Sequence, residues 1–246
     1  MNGSVRWREI AGDLRAQIED GRLAPDGRVP SEDSLAAQYH VARMTARTAL
    51  LYLEQTGLVT PGRPRRVSAR EPLLVNLTRE AGDTWAGESP TAGADSWLGD
   101  AAAAGRNPSQ EIMVIIAVAS AESARRLQIL PGEPVVARQL IREAGGKRHN
   151  MITFWFPADV ANGTPLAEPA DIAEGSLAWL ERTRGPMSHE VEVSSRMPAQ
   201  EEAQTLGIPS GVPVMIVWRT SKADSLPVVT SVAVYPADRA ILRLGL

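Results

Sequence analysis

Apolar positions change period along the chain, and the change marks where helices give way to strands. From residue 31 to 57 the period is helical. Ser31 follows Pro30 as a natural N-cap, and Leu35, Ala36 and Tyr39 then share one face. His40 and Val41 break the run. Beyond them Ala46, Ala49, Leu50 and Leu53 recur at i, i+3, i+4 and i+7, which turns Met44, Arg47 and Thr48 to the opposite face with Arg43 at its flank. The next stretch, LVTPGRPRRVS at 58–68, reads as a hairpin whose tip carries Arg63, Arg65 and Arg66 beside Gly62. Two short helices around a tight turn, followed by a basic hairpin, outline a winged helix-turn-helix within residues 1–70.

Residues 71–94 lose this periodicity. Gly, Ala, Ser, Thr and Pro dominate, the large aliphatic residues are confined to PLLVNL at 72–77, and the stretch reads as an interdomain linker containing a short strand or contact segment.

Residues 95–246 then repeat themselves. ESARRLQILPGEPVV at 122–136 aligns without a gap with EEAQTLGIPSGVPVM at 201–215, sharing A-x-x-L-x-I-x-x-G-x-P-V. Phe156-Pro157-Ala158-Asp159 keeps the same offset of 79 from Tyr235-Pro236-Ala237-Asp238, as Leu98 does from Leu177 and Glu111 from Glu190. Each copy reads as helix, strand, short helix, strand, turn, strand, with Gly145-Gly146 as the turn in copy one. Gly132, Pro134, Gly211 and Pro213 are assigned to turns. Six strands in two related halves predict an α+β domain with one mostly antiparallel sheet, helices beside it and a cleft between the halves.

Composition adds the sign of the surface. Residues 1–70 hold eleven Arg against eight acids, a net +3, while the remainder nets −6 within a chain total of −3. No acid occurs between Ser34 and Leu53, so positive charge is kept where phosphates would be met, a segregation that an ordinary solvated charge run does not explain. With 246 residues and 43% apolar content the chain can bury two modest cores. The absence of Cys excludes disulfides and thiolate chemistry and fits a reducing cytoplasm. His40, His149 and His189 have no Cys or metal-spaced acids beside them, so neither a metal site nor a cofactor is expected. The N-terminus lacks an apolar h-region, no run approaches a membrane span, and no membrane partner is expected.

The first 70 residues resemble the DNA-binding domain of the GntR family of bacterial transcription regulators. The resemblance rests on Gly21, Leu23, Pro25, Pro30, Ser31, Glu32, Leu35 and Ala36, then Val41, Arg43, Thr45, Arg47, Ala49 and Leu50, then Glu54, Gly57, Leu58 and Gly62. It implies a double-stranded DNA operator as partner, met by Ser31, Glu32, Arg43, Met44, Thr45, Arg47, Thr48, Gly62, Arg63, Arg65 and Arg66. Three departures stand out. Asp33 replaces a common Arg, Ala42 replaces the Ser that caps the recognition helix, and the wing reads PGRPRRV with Pro64 stiffening its tip.

Residues 95–244 resemble the UTRA effector-binding domain of the HutC subfamily, which has a chorismate-lyase-like fold. The motifs are L-x-I-x-x-G-x-P-V, the strand with Arg138 and Arg142, the strand ending in Trp155-Phe156-Pro157, and SVAVYPADRAILRL at the end. The resemblance implies a small anionic or polar effector between the halves, held by Arg and hydroxyl side chains on inward strand positions. Alternation places Arg138, Leu140 and Arg142 on one face and Thr153 with Trp155 on the next strand, and copy two offers Arg219, Thr230 and Tyr235. Gln139 and Leu140 stand where relatives carry Arg, which weakens the case for a strongly anionic ligand. The combined reading is a homodimeric, ligand-responsive repressor on a palindromic operator. Its rivals are a regulator whose second domain only dimerises, and a lyase-like enzyme. No nucleophile elbow, phosphate-cradling Gly loop or paired acid and base supports the enzyme, since fold alone supplies no chemistry.

Overall fold

The helical period after Ser31 yields two helices with the expected inward faces. In the computed structural model, which describes residues 3–23, 27–60, 62, 64–67, 73–78, 98, 102, 105, 107–238 and 240–245, α1 spans Gly3–Glu19, α2 Glu32–Tyr39 and α3 Arg43–Gln55. Ser31 caps α2, its Oγ accepting from Ser34 N–H at 3.1 Å. The helix ends where His40 turns left-handed at φ +51. Ala42 leaves α3 without a side-chain cap, as its methyl group dictates. At the other end Gly57, at φ +68, lets Leu58 N–H return to Leu53 O at 2.9 Å, which sends the chain from α3 into the wing.

The wing is short. Strand β1 (Val59–Thr60) pairs antiparallel with β2 (Arg66–Val67), and Arg28 bridges to Arg66 along the other edge. Ile10 and Leu14 of α1, Leu35 of α2, Ala46, Leu50 and Leu53 of α3, and Val59 of the wing close one core. Leu35, Leu50 and Leu53 are fully buried, and truncating any of them costs about 2–5 kcal/mol.

By contact density the chain divides into Met1–Glu71 with Met197–Ala203 and Gly207–Pro213, and Pro72–Arg196 with Gln204–Leu206 and Val214–Leu246. Within the expected linker, Leu73–Thr78 form a strand, β3. The other residues of 71–94 lie outside the described residues.

The 79-residue repeat is borne out in the three strands and the short helix of each copy, while the helix expected around Leu98 at the head of copy one lies largely outside the described residues. Copy one supplies β4 (Pro108–Val118), α4 (Ala121–Leu127), β5 (Pro134–Ala144) and β6 (Lys147–Pro157). After α5 (Ala158–Ala161), a 3-10 turn at Pro165–Ala167 and α6 (Ser176–Arg184), copy two supplies β7 (Met187–Arg196), α7 (Gln200–Leu206), β8 (Val214–Ala223) and β9 (Leu226–Pro236). The last strand, β10 (Ala240–Gly245), runs parallel to β3. The six repeat strands form one antiparallel sheet in the order β4-β5-β6-β9-β8-β7. Its centre is where the halves meet, and there Thr153 pairs with its own counterpart Val232, so a local two-fold axis passes through that pair.

Each half also carries the same irregularity. The β5–β6 register slips between Arg142 and Glu143, leaving His149 as the extra residue, and the β8–β9 register slips between Ser221 and Lys222, leaving Val228. These bulges decide which side chains share a face. A straight two-residue hairpin would set Arg138 opposite Thr153 and Arg219 opposite Thr230. With the extra residue, Arg138 faces Phe154 and Arg219 faces Ser231.

One sheet face bears the larger core, including Val136, Leu140, Phe154, Phe156, Val217, Ala233 and Tyr235, with Leu166 and Leu180 packed on it. The other face carries Val135 and Trp155 against Ala124 and Leu127 of α4.

Candidate nucleic-acid interface and effector face

The acid-free stretch places Arg43, Met44, Arg47 and Thr48 on the exposed side of α3, and Met44 is 65% exposed, which no core requirement explains. Thr45 is half-buried. Thr48 Oγ1 donates to Met44 O at 2.9 Å. Arg47 forms no ion pair among the described residues and is the exposed cation best free to meet a phosphate or base. Gly62, at φ +139, and Arg66 are exposed in the wing, while Arg63 lies outside the described residues.

Two residues expected to touch DNA turn inward, and this corrects the sequence reading. Glu32 is only 6% exposed and sits between two arginines. Arg43 Nε donates to its Oε2 at 3.1 Å, and Arg65 Nη1 reaches its Oε1 at 3.5 Å. Arg65 also donates from Nε to Glu54 at 2.5 Å, with its side chain just 15% exposed. Arg65 thus ties the wing to the start of α2 and the end of α3, and its charge is already matched inside the fold. The Arg43 hydrogen bond, helped by the charges of Arg43, Arg65 and Arg47, holds the Glu32 carboxyl below its usual range against an opposing desolvation effect. Ser31 Oγ is likewise occupied by its cap. Asp33, which stands in place of a common Arg, has its Oδ1 3.3 Å from Arg43 Nε.

The seven effector candidates do not form one site. Arg138, Arg142, Arg219 and Tyr235 fall on the larger-core face, whereas Thr153, Trp155 and Thr230 fall on the other, because the bulges shift the register by one. Trp155 stacks on Trp218 with centroids 5.6 Å apart, and the Arg126 guanidinium lies 4.3 Å over Trp218 while pairing with Glu122 and Glu192. Thr230 is fully buried and donates to Arg219 O at 3.2 Å. These contacts join strands and helix on the far face.

The four remaining candidates have distinct surroundings. Arg138 donates to the backbone carbonyls of Glu168 and Ala170, both at 2.6 Å, and so clamps the loop before α6. Arg142 and Asn150 are cross-strand partners, and the buried Tyr235 phenol lies near enough to both to feel them electrostatically. Burial pushes the Tyr235 phenol up to about 12, with Arg142 and Asn150 pulling the other way. Arg219 is 1% exposed, and burial pushes its guanidinium down to about 9, still protonated at neutral pH. Its Nη2 lies 3.1 Å from His189 Nδ1, which also meets Ser221 Oγ at 2.9 Å. Since a guanidinium only donates, Nδ1 accepts and the ring proton sits on Nε2. Desolvation lowers the His189 pKa and favours that neutral ring, with Glu181 opposing.

Sequence reasoning missed Asn150, His189, Ser221 and Ser231 on this face. A comparison of the two copies position by position marks Ser221, which stands at the counterpart of Arg142. His149, by contrast, is the bulge residue, with Nε2 3.2 Å from Ala144 O. No group of three or more potential metal ligands occurs among the described residues.

A winged helix-turn-helix joined to a sheet built from a duplicated unit defines a DNA-binding regulator with a separate sensory-type domain. Residues 7–67 match the family model for bacterial regulatory proteins of the gntR family, and residues 103–240 match that of the UTRA domain. The chain belongs to the GntR family, in its HutC-like branch with a UTRA domain, and is a transcription regulator and not an enzyme. It is 28% identical to an HTH-type transcriptional regulator of Rhizobium meliloti, over 98% of this chain and 95% of that protein. It is 25% identical to the HTH-type transcriptional repressor NagR of Bacillus subtilis, over 87% and 83%. A crystal structure of a GntR-family transcriptional regulator superposes with a TM-score of 0.62 at 29% identity, covering 98% of this chain and 96% of that one. Among the described residues no helix is long and apolar enough to cross a membrane.

Proposed function

We propose that the protein is a homodimeric, effector-responsive repressor that reads a palindromic operator in the cytoplasm. Residues 1–70 dock on DNA, 71–94 link, and 95–246 bind the effector and dimerise. In this reading Arg43, Met44, Thr45, Arg47 and Thr48 face the major groove, Gly62, Arg63 and Arg66 approach the backbone, and two protomers match two half-sites. The relative that bears the name of a repressor supports the direction of control.

Burial of Arg219 carries the effector reading. A guanidinium enclosed in a sheet core costs stability, and Arg219 sits beside His189 and Ser221, groups that suit a polar ligand. Arg219, His189 and Ser221 with Arg142, Asn150 and Tyr235 offer donors suited to a small polar or anionic molecule. The effector must prefer a DNA-incompetent arrangement, or it shifts nothing. A metabolite screen by thermal shift tests this, because an effector at 100 times its Kd stabilises the fold by about 2.7 kcal/mol. A compound that stabilises the protein without releasing operator would remove the regulatory claim. Arg47→Ala should weaken operator binding by about 1–3 kcal/mol in a gel-shift titration, and an unchanged affinity would overturn the docking of α3.

A further inference from the structure

Arg43 is held by one edge. Its Nε donates to the buried Glu32 at 3.1 Å and lies 3.3 Å from the exposed Asp33, while its two terminal amino groups donate to no described residue. The side chain is 57% exposed. A guanidinium gripped at Nε keeps the Nη1 and Nη2 fork for an end-on bidentate partner, and in a major groove that partner is the O6 and N7 edge of guanine. The grip also has an electrostatic side. Asp33 sets an exposed negative charge beside the Arg43 cation and partly offsets it, which weakens loose attraction to any phosphate.

The two carboxylates differ in what else they do. Glu32 is shared with Arg65 and belongs to the packing of the wing. Asp33 is 72% exposed, and its one ion pair among the described residues is with Arg43. It occupies the second position of α2, where a carboxylate is welcome to the helix dipole but Asn is also tolerated.

We propose that Asp33 is a specificity-determining residue that positions Arg43 for a guanine while lowering affinity for DNA of arbitrary sequence. This rests on α3 entering the major groove.

The test uses the full chain, a short duplex recovered by selection from a random pool, and a random-sequence duplex as competitor. Binding is titrated for the wild type, Asp33→Asn, Arg43→Ala and the double variant. Asp33→Asn should raise random-duplex affinity by roughly two- to fivefold through the lost charge. Selected-duplex affinity should not rise with it, so the selected-to-random ratio falls by about threefold or more. In the Arg43→Ala background the same change should leave that ratio unaltered. Equal gains on both duplexes would reduce Asp33 to simple phosphate repulsion and overturn the proposal, as would an equal fall in ratio with and without Arg43. Should Arg43→Ala itself leave the ratio untouched, the docking of α3 is what fails. Thermal melts of all four proteins separate either outcome from unfolding.

Discussion

The two copies of the duplicated unit share a backbone and disagree about what they present to the larger-core face. The residues they hold in common are core and turn: Ala124 and Ala203, Leu127 and Leu206, Ile129 and Ile208, Gly132 and Gly211, Pro134 and Pro213. On the larger-core face the counterparts diverge, Arg138 against Val217, Leu140 against Arg219, Arg142 against Ser221 and Phe156 against Tyr235. Packing and turn geometry hold the first set fixed. The second set breaks a two-fold arrangement that would otherwise offer the same groups from both sides, as the proposed binding of a small asymmetric effector requires. Each variant below asks whether a residue of one copy can be replaced by the logic of the other.

Phe156 and Tyr235 should show the largest contrast. Phe156 is fully buried and stacks on Phe154, with centroids 5.9 Å apart and planes 12° apart. Phe156→Ala should cost about 3–5 kcal/mol in urea denaturation. Tyr235→Phe gives copy two the residue of copy one and removes only a buried hydroxyl, so stability near neutral pH should change by no more than about 1 kcal/mol. Because burial raises the phenol pKa from 10 to about 12, the folded chain keeps its proton where the unfolded chain loses it. That contribution is complete below pH 10 and is lost as pH climbs through 12. The wild type should therefore lose stability more steeply than Tyr235→Phe above pH 10, and parallel curves there would show that the phenol is not buried in solution.

Arg219→Leu ranks next, and its sign is opposite. Copy one has Leu140 at this position, and exchanging a buried cation for a well-packed leucine should raise stability by about 1–3 kcal/mol. The same variant should abolish the thermal shift produced by any effector that stabilises the wild type. If Arg219→Leu instead lowers the Tm, the fold already repays the buried charge and the residue is structural.

Much of this was legible in the chain. A 3.6-residue period places α2 and α3, and a constant 79-residue offset predicts six strands in two halves. Ala42 announced its missing cap. What the sequence could not show was pairing at a distance. Eleven arginines say that the first unit is basic, but nothing local says that Arg65 reaches Glu32, 33 residues away, and not a phosphate. Alternation likewise sorts side chains within one strand and is silent on the next. Arg138 and Thr153 would have shared a face across a straight hairpin, and one extra residue, His149, separates them.

The turns provide the smallest contrast. Gly145 and Gly146 both have positive φ, as a two-residue type I′ hairpin requires, while copy two places Asp224 at φ +47 and Ser225 at φ +69 in the same positions. A side chain in the left-handed region costs about 1 kcal/mol, part of which glycine gives back through its freer unfolded chain. Ser225→Gly should therefore stabilise by about 0.5 kcal/mol, and Gly146→Ser should destabilise by a similar amount, read as shifts in urea midpoint at constant slope. The comparison is sharpest if the two changes cancel in the double variant, since the turns lie in different hairpins and share no partner. A Ser225→Gly that destabilises would mean that copy two keeps its serine for a contact that copy one lacks, and that the copies differ at the hairpin tips as well as on the larger-core face.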